Sequence, residues 1–192
     1  MTRRAQQAEE RREQLIDTAL RVFAEKGWDA TSIPDLARAA GIAQGLMYHY
    51  FRNKEELLIA VIERHSFLSE LRELLTVSAD RPAIHVLPEI AENFAALLQQ
   101  KRDLILIFIR EAQTNPGIAR QQDALIGGGV QLLTEYITAR VAAGELRPHD
   151  PTLTAHAFLY TIFMSQLIHV SGQLSIADFV QFLLQGVVRQ EE

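Results

Sequence analysis

Gln44, Tyr48 and His49 stand four and five residues apart, which puts them on one face of any helix that contains them. Their chemistry is that of holding and reading a duplex. A Gln amide can pair both edges of an adenine or bind a phosphate, and Tyr and His side chains hydrogen-bond phosphate oxygens, which positions a protein without reading sequence. Gly45 adds a place with no side chain where a backbone can approach closely. Upstream, Thr31 and Ser32 offer hydroxyls and backbone N–H groups to a phosphate, and Arg38 offers a guanidinium. Lys54 stands where a helix is expected to begin, although a cation in a first turn opposes the helix dipole. A DNA phosphate would supply the reason for it. Bond-breaking chemistry finds no comparable support. The six His residues form no HExxH and no pair at i, i+4, there is no phosphate loop or GxSxG, and Cys is absent. We therefore assign no catalytic residue, no metal ligand and no cofactor, and expect a protein that is not an enzyme.

The elements that must position these residues form a helix-turn-helix. Ser32 can cap a helix over Ile33–Ala39, with Asp35 completing a capping box and Pro34 tolerated in the first turn. Gly41 follows where a left-handed residue would end that helix. A second helix is expected from about Ala43 to Tyr50. Two helices joined by a short glycine turn form the unit that lays a recognition helix in the major groove. Leu15, Ile16, Ala19, Leu20 and Phe23 make the stripe of a preceding helix that ends at Gly27. Tyr50 and Phe51 are assigned to packing. Arg3, Arg4, Arg11 and Arg12 form either a DNA-contacting arm or a solvated end.

Charge does not contradict this reading. The chain is −5 overall, but residues 1–60 hold nine Lys/Arg against nine Asp/Glu, so the acidity lies in the remainder. A locally basic face on the neutral part can still neutralise phosphates. Zero Cys fits a reducing cytoplasm, and no apolar run is long enough for a signal peptide or a membrane span.

Beyond Asn53, which can cap a helix with Glu56, the pattern is helical almost throughout: 53 to about 68, about 82–99, 104–113, 118–143, 152–170 and 176–189. The Ile-rich run Leu104–Ile109 fits a buried strand by periodicity alone, but its isolation among helices argues for helix. Gly127-Gly128-Gly129 marks a break, a kink or a close backbone approach. The expected fold is all-α, with a DNA-binding domain over residues 1–52 and a larger helical domain over 53–192.

Thr31-Ser32, Leu36-Ala37…Ala40-Gly41, Gly45, Tyr48-His49-Tyr50-Phe51 and Lys54-Glu55-Glu56-Leu57 resemble the N-terminal domain of TetR-family transcriptional regulators. The match extends upstream through Leu15, Ala19, Phe23 and Gly27. Ile42-Ala43 departs from it, standing where many members carry a hydroxyl residue. The resemblance implies Thr31, Ser32, Arg38, Gln44, Gly45, Tyr48, His49 and Lys54 as the DNA-contacting set. It also implies a homodimer built from the last two helices, and a small-molecule cavity among the middle ones. Phe158, Ile162, Gln166, Phe179, Leu183 and Val187 are the candidates for the dimer interface, with internal packing as the other reading. Phe94, Phe108, Arg110, Glu111, Tyr136, Phe163 and Met164 are candidates for an apolar or aromatic effector, with His65 and His169 beside them. The expected function is that of a cytoplasmic repressor on a palindromic operator, released by such an effector. The alternative is a DNA-binding structural or assembly protein of the same fold with no effector.

Overall fold

The computed structural model describes residues 3–168 and 175–187, and among these it forms helices and no strand. In chain order the helices are α1 (Arg3–Lys26), α2 (Ile33–Ala39), α3 (Gln44–Tyr50), α4 (Lys54–Arg64) and α5 (Leu68–Val77). They continue as α6 (Ala83–Gln100), α7 (Arg102–Ala112), α8 (Pro116–Ala142), α9 (Pro151–Leu167) and α10 (Ile176–Val187).

Local chemistry sets most of the boundaries. The Ser32 hydroxyl and the Asp35 carboxylate close a reciprocal capping box at the start of α2. Its end is a Schellman turn: Gly41 at φ +66 donates to the Arg38 carbonyl at 3.2 Å, and Ile42 donates to the Ala37 carbonyl at 3.0 Å. Asn53 accepts from the Glu56 N–H at 2.8 Å, while the Glu56 carboxylate accepts from the Arg52 N–H at 2.7 Å. Asn115 and Asp150 cap α8 and α9, each followed by a proline at the first helical position. Helix α6 has only Pro82 at its start, and Glu145, distant in sequence, accepts from its Ala83 N–H.

One expectation changes, and two open alternatives are decided. The helix that begins after Asn53 stops at Arg64, and α5 is separate from it. No Gly or Pro marks the stop; the Ser66 hydroxyl donates to the Glu63 carbonyl at 3.0 Å, a local bond that competes with the helical ladder. Residues 104–109 are helical, within α7. The three glycines do not break α8. A Cβ on Gly128 would lie 3.3 Å from the Leu68 side chain, and one on Gly129 would lie 3.6 Å from that of Leu159, so the small residues permit close approach.

The chain divides into two compact units. The first comprises the residues through Ser66 together with Asp103–Gln122; the second comprises Phe67–Arg102 and the residues from Asp123 onward. The expected division at 52/53 is therefore displaced, because α4 belongs with α1. It buries Leu57, Leu58 and Val61, and Arg64 reaches Glu13 at 2.7 Å and Asp17 at 3.1 Å. In the first unit Leu15, Ile16, Ala19 and Phe23 of α1 form the core with Leu36 of α2 and Met47 of α3. In the second, α6 packs on α9 and α10, and its core includes Val86, Ile90, Phe158, Ile162 and Val180.

Candidate nucleic-acid interface

Helix α3 is anchored by Met47, with Tyr50 half-buried, and displays the rest. Met47 is fully buried, whereas Gln44, Gly45, Leu46, Tyr48 and His49 are exposed, Tyr48 at 48%. Two turns of helix thus present an amide, a bare backbone, a phenol and an imidazole on one surface. The His49 ring stands edge-on to Tyr50 at 5.4 Å, which limits the directions it can take. Phe51 is buried, and the Arg12 guanidinium lies 5.3 Å over its ring. Arg3, Arg4, Arg11 and Arg12 all lie on α1, so the basic N-terminal residues are carried on a formed helix.

One expected phosphate contact is corrected, and another residue has internal partners. Thr31 is 2% exposed and its hydroxyl donates to the Gly27 carbonyl at 2.6 Å, so it has no hydroxyl to offer a phosphate. Lys54 is tied inward. Its Nζ donates to the carbonyls of Trp28 and Thr31, both at 2.9 Å, and sits 4.1 Å from the centre of the Trp28 ring. Here is the reason for a cation in the first turn of α4: it satisfies carbonyls in the loop between α1 and α2. Trp28, itself buried and tilted 5.2 Å from Phe23, is a positioning residue that motif reasoning missed. Its signal in the sequence is a single tryptophan directly after the helix-ending Gly27.

Ser32 is exposed, with its hydroxyl turned to Asp35. That hydroxyl and the Ser32 N–H hold the Asp35 carboxyl below its ordinary range. Arg38 is largely exposed and pairs with Asp35 at 3.0 Å.

The effector candidates are divided between the two units. Phe108, Arg110 and Glu111 belong to the first unit, where Phe108 is core and Arg110 forms surface ion pairs with Asp29 and Glu111, each at 3.1 Å. His65 also belongs there, 3.4 Å from Asp17. In the second unit Phe94 stacks on Phe67 at 5.0 Å, Phe163 is half-buried and Met164 is exposed. Tyr136 is buried, and its hydroxyl donates to the Arg81 carbonyl at 3.1 Å. Burial pushes that phenol up to about 12. His169 lies outside the described residues. None of these lines the groove of about 540 Å³ that runs between α6 and α10.

The dimer candidates are also redistributed. Phe158 and Ile162 are fully buried inside the second unit, so the internal reading holds for them. Gln166 accepts from Gln99 at 2.7 Å, Phe179 and Leu183 are half-buried, and the Val187 side chain lies outside the described ones. The opposite face of α9 carries residues that the sequence pattern did not single out for an interface: Leu153 (67% exposed), Ala157, Tyr160, Met164 and, just past its end, Ile168. On α10, Phe182 is 74% exposed.

A compact helical unit that holds a short second helix outward by one buried methionine, polar-aromatic face to solvent, defines a helix-turn-helix DNA-binding regulator. Two family profiles match the chain: "Bacterial regulatory proteins, tetR family" over residues 15–61, and "AefR-like transcriptional repressor, C-terminal domain" over residues 85–180. The chain belongs to the TetR family of bacterial transcriptional regulators. Among curated relatives, a fatty acid metabolism regulator protein of Bacillus subtilis is 26% identical over 136 residues, 70% of each chain. The transcriptional activator FasR of Mycolicibacterium smegmatis is 30% identical over 151 residues, 77% of this chain and 64% of that one. Among solved structures, a TetR-family regulator from Mesorhizobium loti superposes with a TM-score of 0.79 at 21% identity, covering 98% of this chain and 100% of that one. The regulator FadR from Bacillus subtilis, in complex with stearoyl-CoA, gives 0.71 at 23%, covering 90% and 95%. Among the described residues no helix is long and apolar enough to cross a membrane.

Proposed function

We propose that this regulator is a dimeric repressor that binds a palindromic operator through α3 and leaves it when a small, largely apolar effector binds the second unit. The observation that carries the proposal is the α3 surface: Gln44, Gly45, Tyr48 and His49 exposed together above buried Met47. In this reading Tyr48 and His49 hold phosphates, Gln44 reaches a base edge or a phosphate, and Ser32 and Arg38 lie on the flanking α2. One such helix binds weakly, and two gain by spanning half-sites about 34–36 Å apart. The outer face of α9 supports the second copy, because its apolar side chains recur every three to four residues and lack cover among the described residues. The stearoyl-CoA complex of the Bacillus structure supports an apolar effector.

The test is selection of DNA from a random pool by the full chain, followed by transcription from a promoter carrying the selected site. Enrichment of an inverted repeat, with transcription falling as protein is added, is the expected result. Transcription rising instead would replace repressor by activator, a reading that FasR favours. Failure to enrich any inverted repeat would sink the proposal.

A further inference from the structure

The groove between α6 and α10 plays no part in DNA contact, and its lining is chemically one-sided. Ile84, Pro88 and Ala91 form one wall; Ile176, Val180 and Leu184 form the other. The second set recurs every fourth residue, so that wall is a straight apolar strip about 12 Å long at 1.5 Å per residue. A volume of about 540 Å³ falls in the range of small-molecule sites. Polar groups enter only from Glu92, Gln181 and Gln185. Among the described residues Glu92 is the single ionisable side chain of the lining; it is exposed and forms no ion pair there. No Lys, Arg or His among the described residues lines the groove to receive an anion.

Charge complementarity selects the occupant. A fatty carboxylate or a coenzyme A ester would set its negative charge beside an unpaired carboxylate with no cation to offset it. An ammonium on an apolar body would meet that carboxylate directly, in a charge-assisted hydrogen bond, while the body lies along the two walls. We propose that the α6–α10 groove binds a small amphipathic cation, an apolar amine whose ammonium pairs with Glu92. The site stands on the groove alone. Its role as effector site rests on the preceding reading of a ligand-released repressor, and names that effector's class.

The test uses the full chain in isothermal titration calorimetry with decylammonium and decanoate, both below their micelle concentrations. Decylammonium is expected to bind once per chain, about tenfold tighter than decanoate, which corresponds to about 1.4 kcal/mol. Glu92→Gln is expected to remove most of that preference. Ala177→Trp, at an exposed position on the groove lining, should block the amine while leaving the thermal midpoint within about 2 °C, since surface changes cost little. Equal binding of the two probes, a preference that survives Glu92→Gln, or no binding at all would overturn the proposal. A change of Ala177→Trp from dimer to monomer would overturn it too, by making the groove a subunit contact. Adding decylammonium to the complex with pool-selected DNA separates the two readings. Binding without release keeps the site and removes only its effector role.

Discussion

Replacing Lys54 by Met keeps an apolar stem over Trp28 and deletes the ammonium, which isolates the tie between α4 and the α1–α2 loop. The destabilisation can be worked from the geometry. Two hydrogen bonds at 2.9 Å from a charged donor are involved. At a half-exposed site each is taken at the lower end, about 1.5 kcal/mol. The cation lies 4.1 Å from the Trp28 ring centre, an arrangement worth about 0.5–1 kcal/mol at such a site. Trp28 also accepts from the Thr31 N–H at 3.1 Å, so its carbonyl keeps a partner while that of Thr31 loses this one. Removing a cation from the first turn returns about 0.3–0.5 kcal/mol. The net is a destabilisation of about 3–4 kcal/mol. Trp28 is the one tryptophan of the chain, so its fluorescence follows this unit in a urea titration. The midpoint should fall by about 1–4 M, given usual urea slopes of about 1–3 kcal/mol per molar. DNA binding supplies the second readout. If Lys54 held a phosphate, its removal would reduce the salt slope of log affinity by about 0.9, whereas an internal tie leaves the slope unchanged while affinity drops. An unchanged urea midpoint together with a slope lowered by about one would refute the reasoning.

Further outcomes follow from the same structure. Tyr48→Phe removes only a phenolic oxygen from an exposed residue, so stability should hold within about 0.5 kcal/mol while affinity for selected DNA falls about fivefold in fluorescence anisotropy. Met164→Glu puts a charge on the outer face of α9 and should weaken self-association at least about 100-fold in sedimentation equilibrium, with helicity unchanged. Tyr136 should ionise at about 12 in an ultraviolet titration. In the unfolded chain it ionises near about 10, so the stability it contributes is complete below that pH and is lost between there and about 12. Tyr136→Phe should therefore flatten the decline of the unfolding midpoint on the alkaline side.

Legibility in the sequence tracked the reach of the interaction. Ser32 with Asp35, Gly41, and Asn53 with Glu56 act within four residues of one another, so these helix starts and stops could be read from spacing. The α3 face was readable for the same reason, since helical periodicity alone places Gln44, Tyr48 and His49 together. Lys54 was misread because its partners lie 23 and 26 residues away, and the sequence shows the misplaced charge but not the carbonyls that receive it. Thr31 failed similarly: a hydroxyl before a helix looks alike whether it faces solvent or folds back on Gly27. Helix α9 is apolar on every side, so no stripe in its sequence says which face is core; Phe158 and Ile162 proved internal, while Leu153, Tyr160 and Met164 face outward. The groove needed the fold itself, because Ile84 and Ile176 meet only through tertiary packing.

The bare outer face of α9 bears on how the regulator responds to its own abundance. In the proposed dimer, Leu153, Tyr160 and Met164 are hidden from water against a second copy of the chain. By mass action, the concentration of pairs then varies with the square of the concentration of single chains while pairs are scarce. Doubling the rate of synthesis would raise the DNA-competent species about fourfold in that regime and about twofold once pairs predominate. The hydrophobicity of one helix face thus sets the expression level at which control of the target gene passes from steep to proportional.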